Sequence, residues 1–324
     1  MGQNYTFGIA DTAVARYGGV TLDDLYWNTG AILKAFDATA QAAERIGSPP
    51  PKPRLAGFSY GHVSALGCEI AFPGDSEPKP LPRIRTPSDI DNLRAPRDYF
   101  AVGTNPRRLR VRDELNRLRP GLNAGACLGV EGPVTTAALL MGQDFFILPY
   151  EDPARAKKLL EFSARSAVEF IRAAYELETG KAWKAGAAGI CDDFAGMFPP
   201  AMFDEFVLPY WEIYYDGLEA TRRHLHSELL REAHLSRLKQ LRIEAFDPSA
   251  DQFLDPPSLA RSCPCPFQLR IQSWHMRDMK PAELKTMYER LASYRPYTIS
   301  FYLTWPQDEG KAAAILEKAK EIAA

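Results

Sequence analysis

Short runs of small and β-branched residues alternate with amphipathic helical patterns along most of the chain, and this alternation limits the fold more than any other feature. The runs are PRLAGFSYG (53–61), GCEIAF (67–72), NAGACLGVEG (123–132), KAGAAGICDDF (184–194), IEAFDPS (243–249), FQLRIQS (267–273) and YTISFYLT (297–304). Apolar residues at successive positions suit strands covered on both faces, as in a parallel sheet. Between them lie helical segments. Residues 152–180 place Asp152 at an N-cap and Pro153 at the first helical position, carry Leu159, Phe162, Ala167 and Phe170 on one stripe, and stop at Gly180. Segments 199–220, 227–241, 280–294 and 309–324 repeat the helical pattern, with Pro209 expected to kink or end the first of them. Strand and helix in alternation over 324 residues, without a Gly-rich phosphate fingerprint, predict an α/β fold and within it a (β/α)8 TIM barrel, one domain spanning 1–324. The Pro-rich stretches GSPPPKPRL and GDSEPKPLPRIRTPSD read as surface loops or lids.

Charge and composition exclude several classes of function. The formal net charge is −2, and the arginine-rich run NPRRLRVRDELNRLRPG is interrupted by acids, so it reads as a solvated helix and no nucleic-acid partner is expected. No stretch of about eighteen apolar residues and no secretory leader pattern occurs, which predicts a cytoplasmic protein without a membrane partner. Gly2 and Thr6 satisfy the formal myristoylation pattern, but no polybasic segment supports it. Five scattered cysteines do not form a disulfide framework, and Cys263-Pro-Cys265 lacks the spacing of a structural zinc site or of a Cys-x-x-Cys redox motif.

In a (β/α)8 barrel the chemistry sits at the carboxyl ends of the strands. Read in order, those ends offer Tyr60 and His62, Glu131, Cys191, Asp192 and Asp193, His224 and His226, Asp247 and Asp251, Trp274 and His275, then Tyr302, Thr304 and Trp305. His234 falls instead on the apolar face of a helix and reads as a packing residue. His224 and His226 point the same way only on extended backbone, because strand side chains alternate with period two. Two imidazoles with a carboxylate suffice for a three-ligand catalytic zinc; Asp247 supplies the third donor, with Glu228 as its competitor. One of Asp192 and Asp193 should face the barrel mouth as base or substrate anchor while the other caps the following helix. Cys191 reads as a small buried residue, since no adjacent histidine argues for its activation. Tyr60, His62, Trp274, His275, Tyr302 and Trp305 are the expected substrate-binding residues, the aromatic ones forming an apolar wall.

GVEGPVTTAALLMG and DDFAGMFPPAMFDEFVLPY together resemble the uroporphyrinogen decarboxylase superfamily, in order and spacing, from about Leu122 to His226. His224 then falls where members carry a strand-end histidine. The resemblance implies a (β/α)8 barrel and one of two chemistries. The decarboxylases carry an N-terminal Arg-Gln-Ala-Gly-Arg motif, which NYTFGIADTAVARYGG lacks. The corrinoid-linked methyltransferases hold zinc by His-x-Cys and a late Cys; here His226 replaces the first Cys and YTISFYLTWPQ has no late one. Imidazole and carboxylate ligands leave zinc a harder Lewis acid than thiolates do, suited to a leaving oxygen. The resemblance therefore implies transfer of a methyl group from a small methylated substrate, such as a methyl ether, to a corrinoid (cobalamin) carried by a partner protein, since the chain has no Asp-x-His-x-x-Gly corrinoid motif. The other readings are a metal-independent lyase acting on a carboxylated substrate and a barrel that binds a tetrapyrrole or corrinoid protein without catalysis.

Overall fold

The computed structural model describes residues 4–249 and 252–323, so Asp251 lies outside the described residues. Among the described residues there are eight strands: β1 (Tyr5–Ile9), β2 (Glu69–Ala71), β3 (Lys79–Leu81), β4 (Gly186–Cys191), β5 (Ala220–His226), β6 (Ile243–Asp247), β7 (Gln268–Ile271) and β8 (Thr298–Leu303). Six of them are parallel, in two sheets ordered β4-β5-β6 and β1-β8-β7, with helices between successive strands. One parallel bridge, Phe246 to Phe267, joins the end of β6 to the approach to β7. The fold is thus α/β with parallel sheets, as the alternating pattern predicts.

The longest helix, Pro153–Thr179, has the predicted ends. Asp152 accepts a hydrogen bond from the Arg155 N–H at 3.0 Å, and Gly180 closes it with φ 66°, a left-handed conformation that costs glycine little. Its apolar stripe, including Leu159, Ala167 and Phe170, is buried; each such leucine or phenylalanine contributes about 1.5–3 kcal/mol. Phe162 is only partly buried and packs against the edge of the same core.

The expected barrel does not close as a hydrogen-bonded ladder. Two runs read as strands, PRLAGFSYG and NAGACLGVEG, share a single bridge between Phe58 and Leu128 and are otherwise irregular. A third, GCEIAF, forms β2 in a small antiparallel pair with β3, outside the parallel sheets. The parallel position beside β8 is taken by β1, a strand absent from the sequence reading. The reason lies in where the backbone groups of these segments go. The guanidinium of Arg108 donates to the carbonyls of Ala56 (2.8 Å), Ala126 (2.9 Å) and Cys127 (3.4 Å). The Ala126 N–H donates to Glu178 at 2.9 Å, and both backbone groups of Ala124 bond to the Asn116 side chain. Side chains thus take the groups a neighbouring strand would have paired, and Cys127 at φ 51° leaves the extended region altogether.

Arg108 also corrects the reading of NPRRLRVRDELNRLRPG. The run is helical over Asn105–Leu118, but it is not simply solvated: Arg108 is fully buried, beneath Phe58 at 5.0 Å. Burial lowers its pKa to about 10, still well above neutrality.

Candidate functional site

Parallel pairing sets the core of the site. Cys191 is the register partner of His226, and His226 of Asp247, so three adjacent strands end with these side chains in one row. β5 is extended, as the His-x-His reading requires; His224 and His226 flank the buried Leu225 and line one recess of about 310 Å³. Asp193 follows one turn of chain after β4.

His226 is held on both ring nitrogens. Nδ1 lies 2.9 Å from Asp247 Oδ2, and Nε2 lies 3.2 Å from Asp193 Oδ1. Burial opposes a charged ring, but the two carboxylates outweigh it and raise the His226 pKa to about 10. Asp247 is fixed in turn by Arg270 (3.2 Å) and by the Ser249 N–H (2.8 Å). Its own burial is outweighed by His226 and Arg270, which hold its carboxyl below the usual range. Ligand atoms of Cys191, Asp193 and His226 all lie within 4.8 Å of one another, the one such group of three among the described residues. Glu131 closes the other side. Burial first, then the Asp193 charge, raises its carboxyl to about 7. Burial and the charges of Glu131 and Asp193 keep the Cys191 thiol far above its ordinary value. Asp193 Oδ1 and Glu131 Oε2 are both buried without a hydrogen-bond partner; the 3.2 Å approach to His226 is an ion pair lacking hydrogen-bond geometry.

The two aspartates after β4 take different surroundings, and the helix that one of them caps is the preceding one, not the following one. Asp192 is fully buried and accepts from the N–H groups of Val134 (3.1 Å) and Thr135 (2.6 Å) and from Trp211 Nε1 (2.7 Å). It anchors the N-terminus of helix Pro133–Met141 and does not reach the mouth. Burial raises its pKa to about 6 even so. Gly132 is required beside it, because a Cβ there would lie 2.4 Å from the Asp192 Cβ.

Several predicted positions need correction. His62 is fully buried, packs on Phe170 and bonds Ser166 at 3.0 Å; it is a core residue, its pKa lowered by burial to about 3. Trp274 and His275 line a cleft of about 290 Å³ beside Met287 and Arg290, which shares Ser249 and Arg270 with the surroundings of Asp247. Trp305 is exposed, with the Arg16 guanidinium 3.5 Å over its ring. As metal donors, His224 and Glu228 join no cluster, and Asp247 supports His226 from behind. Tyr302 lies 5.7 Å under the Arg270 guanidinium. Tyr60 lines a cavity of about 530 Å³ with Asp11, Tyr26, Glu77 and Thr304; burial and the nearby Glu131 charge raise its phenol to about 12. His234 packs as predicted, with both ring nitrogens bonded and Phe203 at 4.9 Å. Cys191, Glu131 and Arg270 are the site residues the pattern undervalued. Knowledge of the β4 to β5 register alone would have placed Cys191 beside His226.

The sequence model of the uroporphyrinogen decarboxylase (URO-D) family matches residues 60–268. A uroporphyrinogen decarboxylase of Geobacter sp. (strain M21) is 31% identical over 169 residues, 49% of this chain and 45% of that protein; the chain thus spans just under half the length of this relative. Among solved structures, a methyltransferase from Methanosarcina mazei superposes with a TM-score of 0.71 at 14% identity, covering 100% of this chain and 95% of that one. At that identity the likeness is one of fold. Among the described residues no helix is long and apolar enough to cross a membrane.

Proposed function

Because the chain belongs to the uroporphyrinogen decarboxylase family, we propose that it works within that family as a metal-dependent methyltransferase, moving a methyl group from a small methylated substrate to a corrinoid on a partner protein. The observation that carries this reading is the group formed by Cys191, Asp193 and His226. Thiol, carboxylate and imidazole are all zinc donors, and three protein ligands with one open position are the usual catalytic arrangement. The buried Asp193 Oδ1, which lacks a hydrogen-bond partner, fits a cation. Asp247 on Nδ1 orients the imidazole so that Nε2 faces the donor group, as a carboxylate on the far ring nitrogen commonly does for zinc-binding histidines. The donor set differs from the all-imidazole-and-carboxylate expectation: β4 contributes one sulfur through Cys191.

Bound there, zinc would supply Lewis acidity toward the leaving atom of the methyl donor. The chain's own residues do the rest. Arg270 keeps Asp247 charged, Asp247 keeps His226 in place, and Tyr60 and Tyr302 offer ring surface for the substrate. The charge of the mouth argues against the lyase reading. The Asp193 carboxylate, joined by Glu131 only as it ionises near pH 7, disfavours a carboxylated substrate, and the nearby guanidinium, Arg270, is taken up by Asp247, Ser249 and Ser300.

Metal analysis and turnover test the reading together. The expected result is about one zinc per chain, lost in Cys191→Ser and His226→Ala, and conversion of cob(I)alamin to methylcobalamin with at least one methyl ether, methylamine or thioether. Zinc-free protein that decarboxylates a carboxylated tetrapyrrole would replace it with the lyase reading. Zinc bound without turnover on any donor, with tight binding to a corrinoid protein, would leave a non-catalytic barrel.

A further inference from the structure

The loop between helix Pro256–Ser262 and β7 holds a second group of reactive side chains, away from the site. The sulfurs of Cys263 and Cys265 lie 3.9 Å apart in hydrogen-bond contact, and both cysteines are free. Both are half-buried, while Pro264 between them and Pro266 after them are exposed, so a small reagent can approach from the loop surface. The two prolines fix φ on either side of Cys265, which limits the ways the sulfurs can separate. The loop is stitched to the strands that build the site. The Pro266 carbonyl accepts from the Phe246 N–H and the Phe267 carbonyl from the Tyr297 N–H, each at 2.9 Å. Phe246 directly precedes Asp247, and Tyr297 lines the same recess as His226.

We propose that Cys263 and Cys265 form a dithiol site that exchanges with small-molecule disulfides and closes to an intramolecular disulfide. The Cys263 thiolate attacks one sulfur of the small disulfide, forming a mixed disulfide and expelling one small thiolate, which takes up a proton. Cys265 gives up its proton and attacks the Cys263 sulfur, forming the Cys263–Cys265 bond and expelling the second small thiol. The protein dithiol is oxidised, the small disulfide is reduced to two thiols, and no other oxidant is needed. The sulfurs move from 3.9 Å to about 2.05 Å. The 3.9 Å contact lets one thiol donate to the other and so favour its thiolate; with Cys265 as the donor, Cys263 is the attacking sulfur.

The experiment takes the reduced full chain through glutathione buffers of rising oxidised fraction and maps thiols by alkylation and peptide mass spectrometry. The expected result is a peptide spanning Cys263 and Cys265 that loses both alkylation sites and two hydrogens. Cys265→Ser should accumulate glutathione on Cys263, since the second displacement is gone. Cys263→Ser should slow exchange at this loop by about tenfold or more. The proposal is overturned if both thiols stay alkylatable across the oxidising range, if Cys127 or Cys191 takes the adduct while the pair is untouched, or if Cys265→Ser gathers none.

Discussion

Two stretches of the α/β framework are built by different means. Along β4, β5 and β6, backbone pairs with backbone, and the register itself delivers Cys191, His226 and Asp247 to adjacent positions. Across Leu55–Phe58 and Ala124–Leu128, several backbone groups go instead to Arg108, Asn116 and Glu178, while the Ala56 N–H reaches the Leu25 carbonyl and the Phe58 carbonyl the Gly129 N–H. A ladder spreads its stability over many equivalent bonds, so a single side chain on it can be given over to chemistry. A wall pinned by one buried guanidinium concentrates its stability in one residue, and that residue is not free to do anything else.

Four substitutions or conditions would break or sharpen this contrast. The largest effect belongs to Arg108→Leu, which orphans three buried carbonyls and should cost about 3–5 kcal/mol in denaturant unfolding. A loss within about 1 kcal/mol would mean the irregular wall has other support. Asp192→Ala comes next, at about 2–4 kcal/mol, because it strips the acceptor from Trp211 Nε1 and two helix N–H groups. Calorimetry of Asp192→Ala beside Asp193→Ala separates anchor from site residue: the second variant should keep its Tm and lose metal.

Third is a pH effect at His62, on the side held by packing. Its folded pKa is lowered to about 3, so the folded protein excludes a proton that the unfolded chain binds below about 6.5. This group therefore contributes fully above pH 6.5, and stability falls as pH drops from there toward 3. At pH 5 the loss is about 2 kcal/mol relative to neutral pH. A His62→Leu variant should show an acid limb flatter by that amount; parallel acid limbs would remove His62 from the account. The smallest effect is expected on the ladder. Asp247→Asn leaves the backbone pairing intact but unpairs Arg270 and His226, so Tm should fall by less than in the variants above, while metal affinity measured by chelator competition falls about tenfold or somewhat more. A fall in Tm as large as theirs, with affinity preserved, would reverse the contrast between the walls.

How much of this was legible before the structure follows from the range of each interaction. The helix Pro153–Thr179, with Asp152 and Gly180 at its ends, is a local matter of caps and periodicity, and it reads directly from the residues. The same holds for the extended His224-x-His226 and for the parallel α/β class. Small apolar runs such as NAGACLGVEG misled, because a run that suits a buried strand suits equally a buried irregular segment whose carbonyls are met by an arginine fifteen or more residues away. His62 misled in the same way: a histidine after a strand-like run looks like a site residue until its ring is found against Phe170.

By itself, then, the sequence determined the parallel α/β class, the capped helices and the chemical types gathered near strand ends, because propensity, capping and periodicity act within a few residues. Only the tertiary structure decided which of those side chains meet. Register between β4, β5 and β6 put Cys191 beside His226 and Asp247 behind it, the turn after β4 sent Asp192 inward and Asp193 to the mouth, and a single buried guanidinium took the carbonyls of two wall segments that a ladder would otherwise have claimed. Those outcomes depend on pairing across long sequence separations, where the energy of burying and satisfying polar groups outweighs any local preference.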